Sequence, residues 1–193
     1  MMDIMDRDNA GDAHTLLEHC RDATIQFIRL MASAGADMVS NGDSAAGPSV
    51  VSPAIYRAFA QPYERRVVEA AHAAGLPYAL HICGKTEPIL PDMLATGADA
   101  LELDFKTDAR SARGVLSGRA VFIGNLDPTG VLALGGTRDF EDATRQLLAL
   151  FRNDSGFILN AGCAIPANTP PQNIRAMIRS ARERYSIAHG NTH

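Results

Sequence analysis

A chain of 193 residues, 46% of them hydrophobic, has the length and apolar content for one domain with a buried core. A formal net charge of −4 leaves no basic footprint for nucleic acid or an anionic membrane surface, and no stretch approaches the ~20 apolar residues of a membrane span. The charged start (Met1-Met2-Asp3-Ile4-Met5-Asp6) lacks the apolar segment of a secretion signal, and three cysteines cannot all pair within one chain; both observations predict a reducing cytoplasm.

In chain order, the helical spacing of Leu16, Ile25, Phe27, Ile28 and Met31 predicts a helix over 15–33, ended by Gly35. Residues 36–40 read as a strand and 41–49 as a loop rich in Gly, Asp and Pro. Ser52-Pro53 supplies an N-cap and a proline at the first helical position; that helix runs to Gly75, bent at Pro62. The second strand is 77–82. The unit then recurs, with strands at 100–104, 120–124 and 156–160 and helices through 91–95, 108–116 and 140–152. Thr169-Pro170-Pro171-Gln172 reads as a capping box opening a last helix over 171–185. The organisation predicted is a tail and helix over 1–34, a barrel-like domain over 35–186 and a polar tail over 187–193, with His189 and His193 in disordered chain.

Strands alternating with helices imply an α/β fold with a parallel sheet, either doubly wound and open or a (β/α)₈ barrel of TIM type. His81, Asp104, Asn125 and Cys163 all stand at or just past the C-terminal ends of four different strands. A barrel gathers such residues around one mouth, whereas an open sheet spreads them by ~4.8 Å per strand. Five βα units therefore predict a partial barrel, matching the C-terminal part of a full one.

The residues that carry chemistry are His81-Ile82-Cys83-Gly84 and, some eighty residues later, Gly162-Cys163-Ala164. On an extended backbone, His81 and Cys83 point to one face. One imidazole and two thiolates suit tetrahedral Zn²⁺, and three protein ligands leave the open position of a catalytic zinc. The competing reading is a core histidine with two small buried thiols. Glu102 and Asp104 share a strand face and are the candidate catalytic carboxylates, as a fourth ligand or as an acceptor behind His81. Asp43, Asn125 and Asp127 are candidate substrate contacts, although Asp127-Pro128-Thr129-Gly130 is also a good turn sequence. Gly84-Lys85-Thr86 resembles the end of a phosphate-binding loop, but Ala79 stands where that motif needs glycine. His14, His19 and Cys20 read as structural or solvent-facing.

Ser52-Pro53-Ala54-Ile55-Tyr56-Arg57-Ala58-Phe59, Pro62-Tyr63, His81-Ile82-Cys83-Gly84, Gly97-Ala98-Asp99, Gly124-Asn125-Leu126-Asp127-Pro128 and Gly162-Cys163-Ala164-Ile165-Pro166 occur in that order. Together they resemble the C-terminal portion of the uroporphyrinogen decarboxylase superfamily, in its zinc methyltransferase branch, over about 35–185. The resemblance implies zinc held by His81, Cys83 and Cys163, a triad that true decarboxylases lack. It also implies methyl transfer from methylcobalamin, carried on a corrinoid protein, to a zinc-activated small-molecule thiol. The alternatives are a decarboxylase of the tetrapyrrole type and a non-catalytic zinc-binding fragment acting with a partner chain. Family members carry further N-terminal strands, so a homo-oligomer or a separate N-terminal chain is expected to meet the open edges of this sheet.

Overall fold

The computed structural model describes residues 10–188. Helix α1 (Ala10–Ser33) precedes β1 (Val39–Gly42), and α2 (Pro53–Ile55) and α3 (Gln61–Ala73) lead to β2 (Tyr78–Ile82). Then follow α4 (Leu90–Leu94), β3 (Ala100–Leu103), α5 (Ala109–Leu116), β4 (Val121–Leu126), α6 (Thr137–Leu150), β5 (Phe157–Ala161) and α7 (Pro171–Ala188). All neighbouring strands pair in parallel in the order β1-β2-β3-β4-β5, as right-sized crossover helices require. Of the expected tail, residues 187 and 188 extend α7; His189 and His193 lie outside the described residues. Among the described residues no helix is long and apolar enough to cross a membrane.

Three local departures have physical causes. The helix expected to bend at Pro62 instead carries a π turn over Tyr56–Ala60, which leaves Pro62 in the first turn of α3, where its missing N–H costs no hydrogen bond. The turn expected after β4 continues as a π-helical stretch, Pro128–Ala133, because Asp127 Oδ1 accepts the N–H groups of Thr129 and Gly130, both at 2.9 Å. The capping box expected at Thr169 does not form. α7 does begin at Pro171, but the buried Thr169 hydroxyl has no hydrogen-bond partner.

Strand alternation divides the sheet into two faces. Leu80, Ile82, Leu101, Leu103, Phe122 and Leu126 are buried beneath the helices. Near α6, Phe122 packs on Phe151 with ring centroids 4.7 Å apart, and Phe151 stacks on Phe157 at 4.2 Å. The opposite face carries the row Gly42, His81, Glu102, Ile123, Ile158 in register across all five strands. That row is concave. Asn160 on β5 reaches over β4 to place Nδ2 2.8 Å from Glu102 Oε1 on β3, strands that in a flat sheet stand about 10 Å apart. The fold is thus the arc of a TIM-type (β/α) barrel with its polar side chains inside the curve.

Helix α1 is fastened to α3 by His14, whose Nδ1 lies 2.8 Å from the Tyr63 hydroxyl and whose ring stacks on Phe59 at 4.6 Å. Beneath this contact Tyr56 donates to Glu64 Oε2 at 2.5 Å, and both residues are buried. Burial pushes the Glu64 carboxyl up to about 7, opposed by the Tyr56 hydrogen bond and reinforced by the negative charge of Asp43. A carboxyl raised in the folded state stabilises the fold below its unfolded value, and that stability is lost as pH rises through its folded value. Denaturant midpoints should therefore fall between about pH 4.5 and about pH 7 through this group. Glu64→Gln keeps the acceptor for Tyr56 and should remove that part of the slope; an unchanged slope in the variant would refute the assignment.

Candidate metal centre

His81 is the penultimate residue of β2, Cys83 stands one residue beyond that strand, and Cys163 lies past the end of β5. In a flat sheet β2 and β5 would be about 14 Å apart. The curl of the arc instead brings Cys83 Sγ and Cys163 Sγ to 3.8 Å. His81 Nε2 lies 3.1 Å from Cys83 Sγ, and the three donor atoms fall within 4.8 Å of one another. All three cysteines of the chain are free thiols.

The donor set fits zinc on two counts. With Zn–S bonds of about 2.3 Å and tetrahedral angles, two sulfur ligands should stand about 3.8 Å apart, the separation found here. The imidazole tautomer is also set by its surroundings. His81 Nδ1 lies 2.9 Å from the Glu102 carbonyl oxygen, which can only accept, so Nδ1 carries the proton and the Nε2 lone pair faces the thiols. Sequence reasoning expected a carboxylate behind His81; the acceptor is the backbone of that same residue, Glu102. Burial pushes the Cys163 thiol up, against a hydrogen bond from the Ala164 N–H.

The surrounding loops are braced by the other acidic and amide residues named from sequence. Asp104 is buried, and its two oxygens accept from Gly84 N at 2.7 Å and Lys106 N at 3.0 Å, so it ties the Cys83-Gly84 segment to the end of β3. Asn125 Nδ2 donates to the carbonyls of Asp104 at 3.1 Å and Thr107 at 2.8 Å. Asn125 and Asp127 also line a cleft of about 360 Å³ with Phe105, Asp108, Arg110 and Gln146. Asp43 lines a largely apolar cavity of about 260 Å³ with Leu17, Val51, Ile55 and Phe59, where burial pushes its carboxyl up. His81, Cys83, Cys163 and Glu102 thus converge on the concave face, while Asp43, Asn125 and Asp127 occupy its flanks. Two residues of the site were not singled out from sequence. Asn160 holds Glu102, and Ser44 places Oγ 3.0 Å from Cys83 Sγ. Both are common polar residues whose partners are far away in sequence, so no spacing marks them.

Comparison with known proteins gives the same frame. The family model described as Uroporphyrinogen decarboxylase (URO-D) matches residues 4–184. The chain is 34% identical over 168 residues to the Methylcobamide:CoM methyltransferase MtbA of Methanosarcina mazei, covering 86% of this chain and 48% of that protein. It is 35% identical over 170 residues to the Uroporphyrinogen decarboxylase of Thermus thermophilus, covering 88% and 48%. A solved structure of a methyltransferase from Methanosarcina mazei superimposes with a TM-score of 0.81 at 28% identity, covering 89% of this chain and 49% of that one. The chain spans about half the length of the curated relatives it matches.

Proposed function

The chain belongs to the uroporphyrinogen decarboxylase (URO-D) family, and from that premise we propose that it is a corrinoid-dependent methyltransferase, or carries the C-terminal part of one, moving a methyl group from methylcobalamin to a thiol. The observation that carries the reading is the N/S/S donor set, with its sulfurs at 3.8 Å and a free Nε2 turned toward them. Identity to the two kinds of relative is nearly equal, 34% against 35%, so similarity does not choose between them. The thiol pair favours the methyltransferase, because a metal-free decarboxylation has no use for two converging cysteines.

When bound, zinc would lower the pKa of a thiol at its open fourth position while leaving the sulfur nucleophilic. His81, Cys83 and Cys163 would hold it. The thiol sulfur would then take the methyl carbon of the corrinoid substrate, the electron pair of the broken Co–C bond staying with cobalt, and the thiol proton would pass to a base of this chain. Glu102 stands opposite His81 in register with its Oε1 held by Asn160; we assign it to receive that proton or to occupy the fourth position before substrate enters. Asp104 acts as a positioning residue through Gly84. Asn125, Asp127 and Asp43 are proposed to contact the thiol substrate or its corrinoid partner from the two flanking cavities. Free thiols and a thiolate metal site suit a reducing cytoplasm.

Zinc-loaded protein mixed with free methylcobalamin and a panel of thiols should demethylate the cobalamin, read from its absorbance, only when a thiol is present. Turnover that persists after zinc is stripped, or no turnover with any thiol, would overturn the reading. The exposed edges of β1 and β5 lead to a second expectation. Among the described residues neither edge is paired on its outer side, and Ile158 on the concave face is 50% exposed. A second copy of the chain is proposed to cover them, so light scattering at micromolar concentration should give a mass above that of one chain. A stable zinc-loaded monomer would refute this.

A further inference from the structure

Cys83 has a polar neighbour that is not a ligand. Ser44 opens the 3₁₀ turn Ser44–Ala46 that follows β1, and its Oγ stands 3.0 Å from Cys83 Sγ. The turn is held onto the end of β2 at separate points. The Asp43 N–H donates to the His81 carbonyl at 2.8 Å. Gly47 comes so close that a Cβ there would stand 2.6 Å from the Cys83 carbonyl oxygen and 3.2 Å from Ile82 Cγ2. Beyond the turn, Ser49 Oγ is 3.4 Å from where a Cβ on Gly84 would lie. Ser44 is therefore carried by a segment locked against Cys83 on both sides, even though its own side chain is exposed.

The direction of the bond follows from the chemistry of the metal-bound state. With a free thiol either atom can donate. A thiolate has no proton to give, so with Cys83 as a ligand only the Ser44 hydroxyl can donate. We propose that Ser44 is a positioning residue that donates a hydrogen bond to the Cys83 sulfur, draws charge from that thiolate and so sets the donor strength of the metal centre; this rests on the metal reading above. Cys163 receives its own hydrogen bond from the Ala164 backbone N–H. Among the described residues, the Ser44 hydroxyl is the side-chain hydroxyl within hydrogen-bond distance of a ligand sulfur. Two unmodified thiolates would neutralise a dication in full. Moderating them leaves the metal more electron-poor and strengthens its hold on a thiol entering the open position.

The full chain with cobalt(II) in place of zinc tests this without reference to turnover. Hydrogen bonding lowers the energy of the sulfur lone pair, so the sulfur-to-cobalt charge-transfer band of Ser44→Ala should move to longer wavelength. Because the same hydrogen bond holds the Cys83 sulfur in place for the metal, metal affinity should fall about tenfold without it, the lower end of what loss of an orienting outer-shell partner costs. Ser44→Thr keeps the hydroxyl and should restore both. An alanine variant with the parent's band and affinity would overturn the proposal, as would a threonine variant shifted as far as alanine, since the effect would then belong to the turn and not to the hydroxyl. A parent chain that takes up no cobalt would refute the metal site itself, and this inference with it.

Discussion

Cys163→Ala and Cys83→Ala should each abolish stoichiometric zinc binding, while the parent retains close to one zinc per chain. Structural zinc sites with four ligands gain about 10–16 kcal/mol on binding, or about 3 kcal/mol per ligand, so each loss should weaken affinity by at least about a hundredfold. Neither substitution should unfold the protein. Both thiols are only half-buried, and the packed core lies on the other face of the sheet, beneath the helices. Metal analysis after gel filtration measures the first effect and circular dichroism the second. Full zinc retention in both variants would refute the centre.

Gly162→Ala should damage the same centre without removing a ligand. Gly162 N donates to the Leu126 carbonyl at 2.7 Å, which pins the loop after β5 to the end of β4. A Cβ at this position would press on the backbone nitrogen of Phe105 and stand 2.8 Å from its Cα. Phe105 directly follows Asp104, whose carboxylate holds Gly84. The crowding therefore falls on backbone, and relief requires the Cys163 loop or the end of β3 to move. Overpacking of this kind costs about 1–3 kcal/mol, and zinc affinity should fall at least about tenfold as Cys163 is carried away from Cys83. Denaturant midpoints and metal titration measure the two effects; a variant equal to the parent in both would refute the account.

Much of the fold was legible because it depends on local patterns. Short apolar runs such as Tyr78–Ile82, punctuated by glycine and alternating with helical spacing, set strands and helices in order, and that alternation leaves a parallel sheet as the only economical solution. The candidate ligand types were legible too, since His81 and Cys83 two residues apart on extended chain must share a face. The helix details that failed are those where a few hydrogen bonds compete. Asp127 caps a π turn, and Tyr56–Ala60 absorbs an extra residue ahead of Pro62; both depend on backbone geometry that residue type does not reveal.

The sequence by itself determined the order of the βα units, the identity of three candidate metal donors and their position at or just past strand ends, because periodicity and side-chain chemistry act over a few residues. Only the tertiary structure decided that the sheet curls tightly enough to bring Cys83 and Cys163 to 3.8 Å, that a backbone carbonyl orients His81, and that Ser44 and Asn160 join the site. Curvature accumulates from strand twist and helix packing over the whole sheet, and contacts between residues some twenty to eighty positions apart exist only once it has formed.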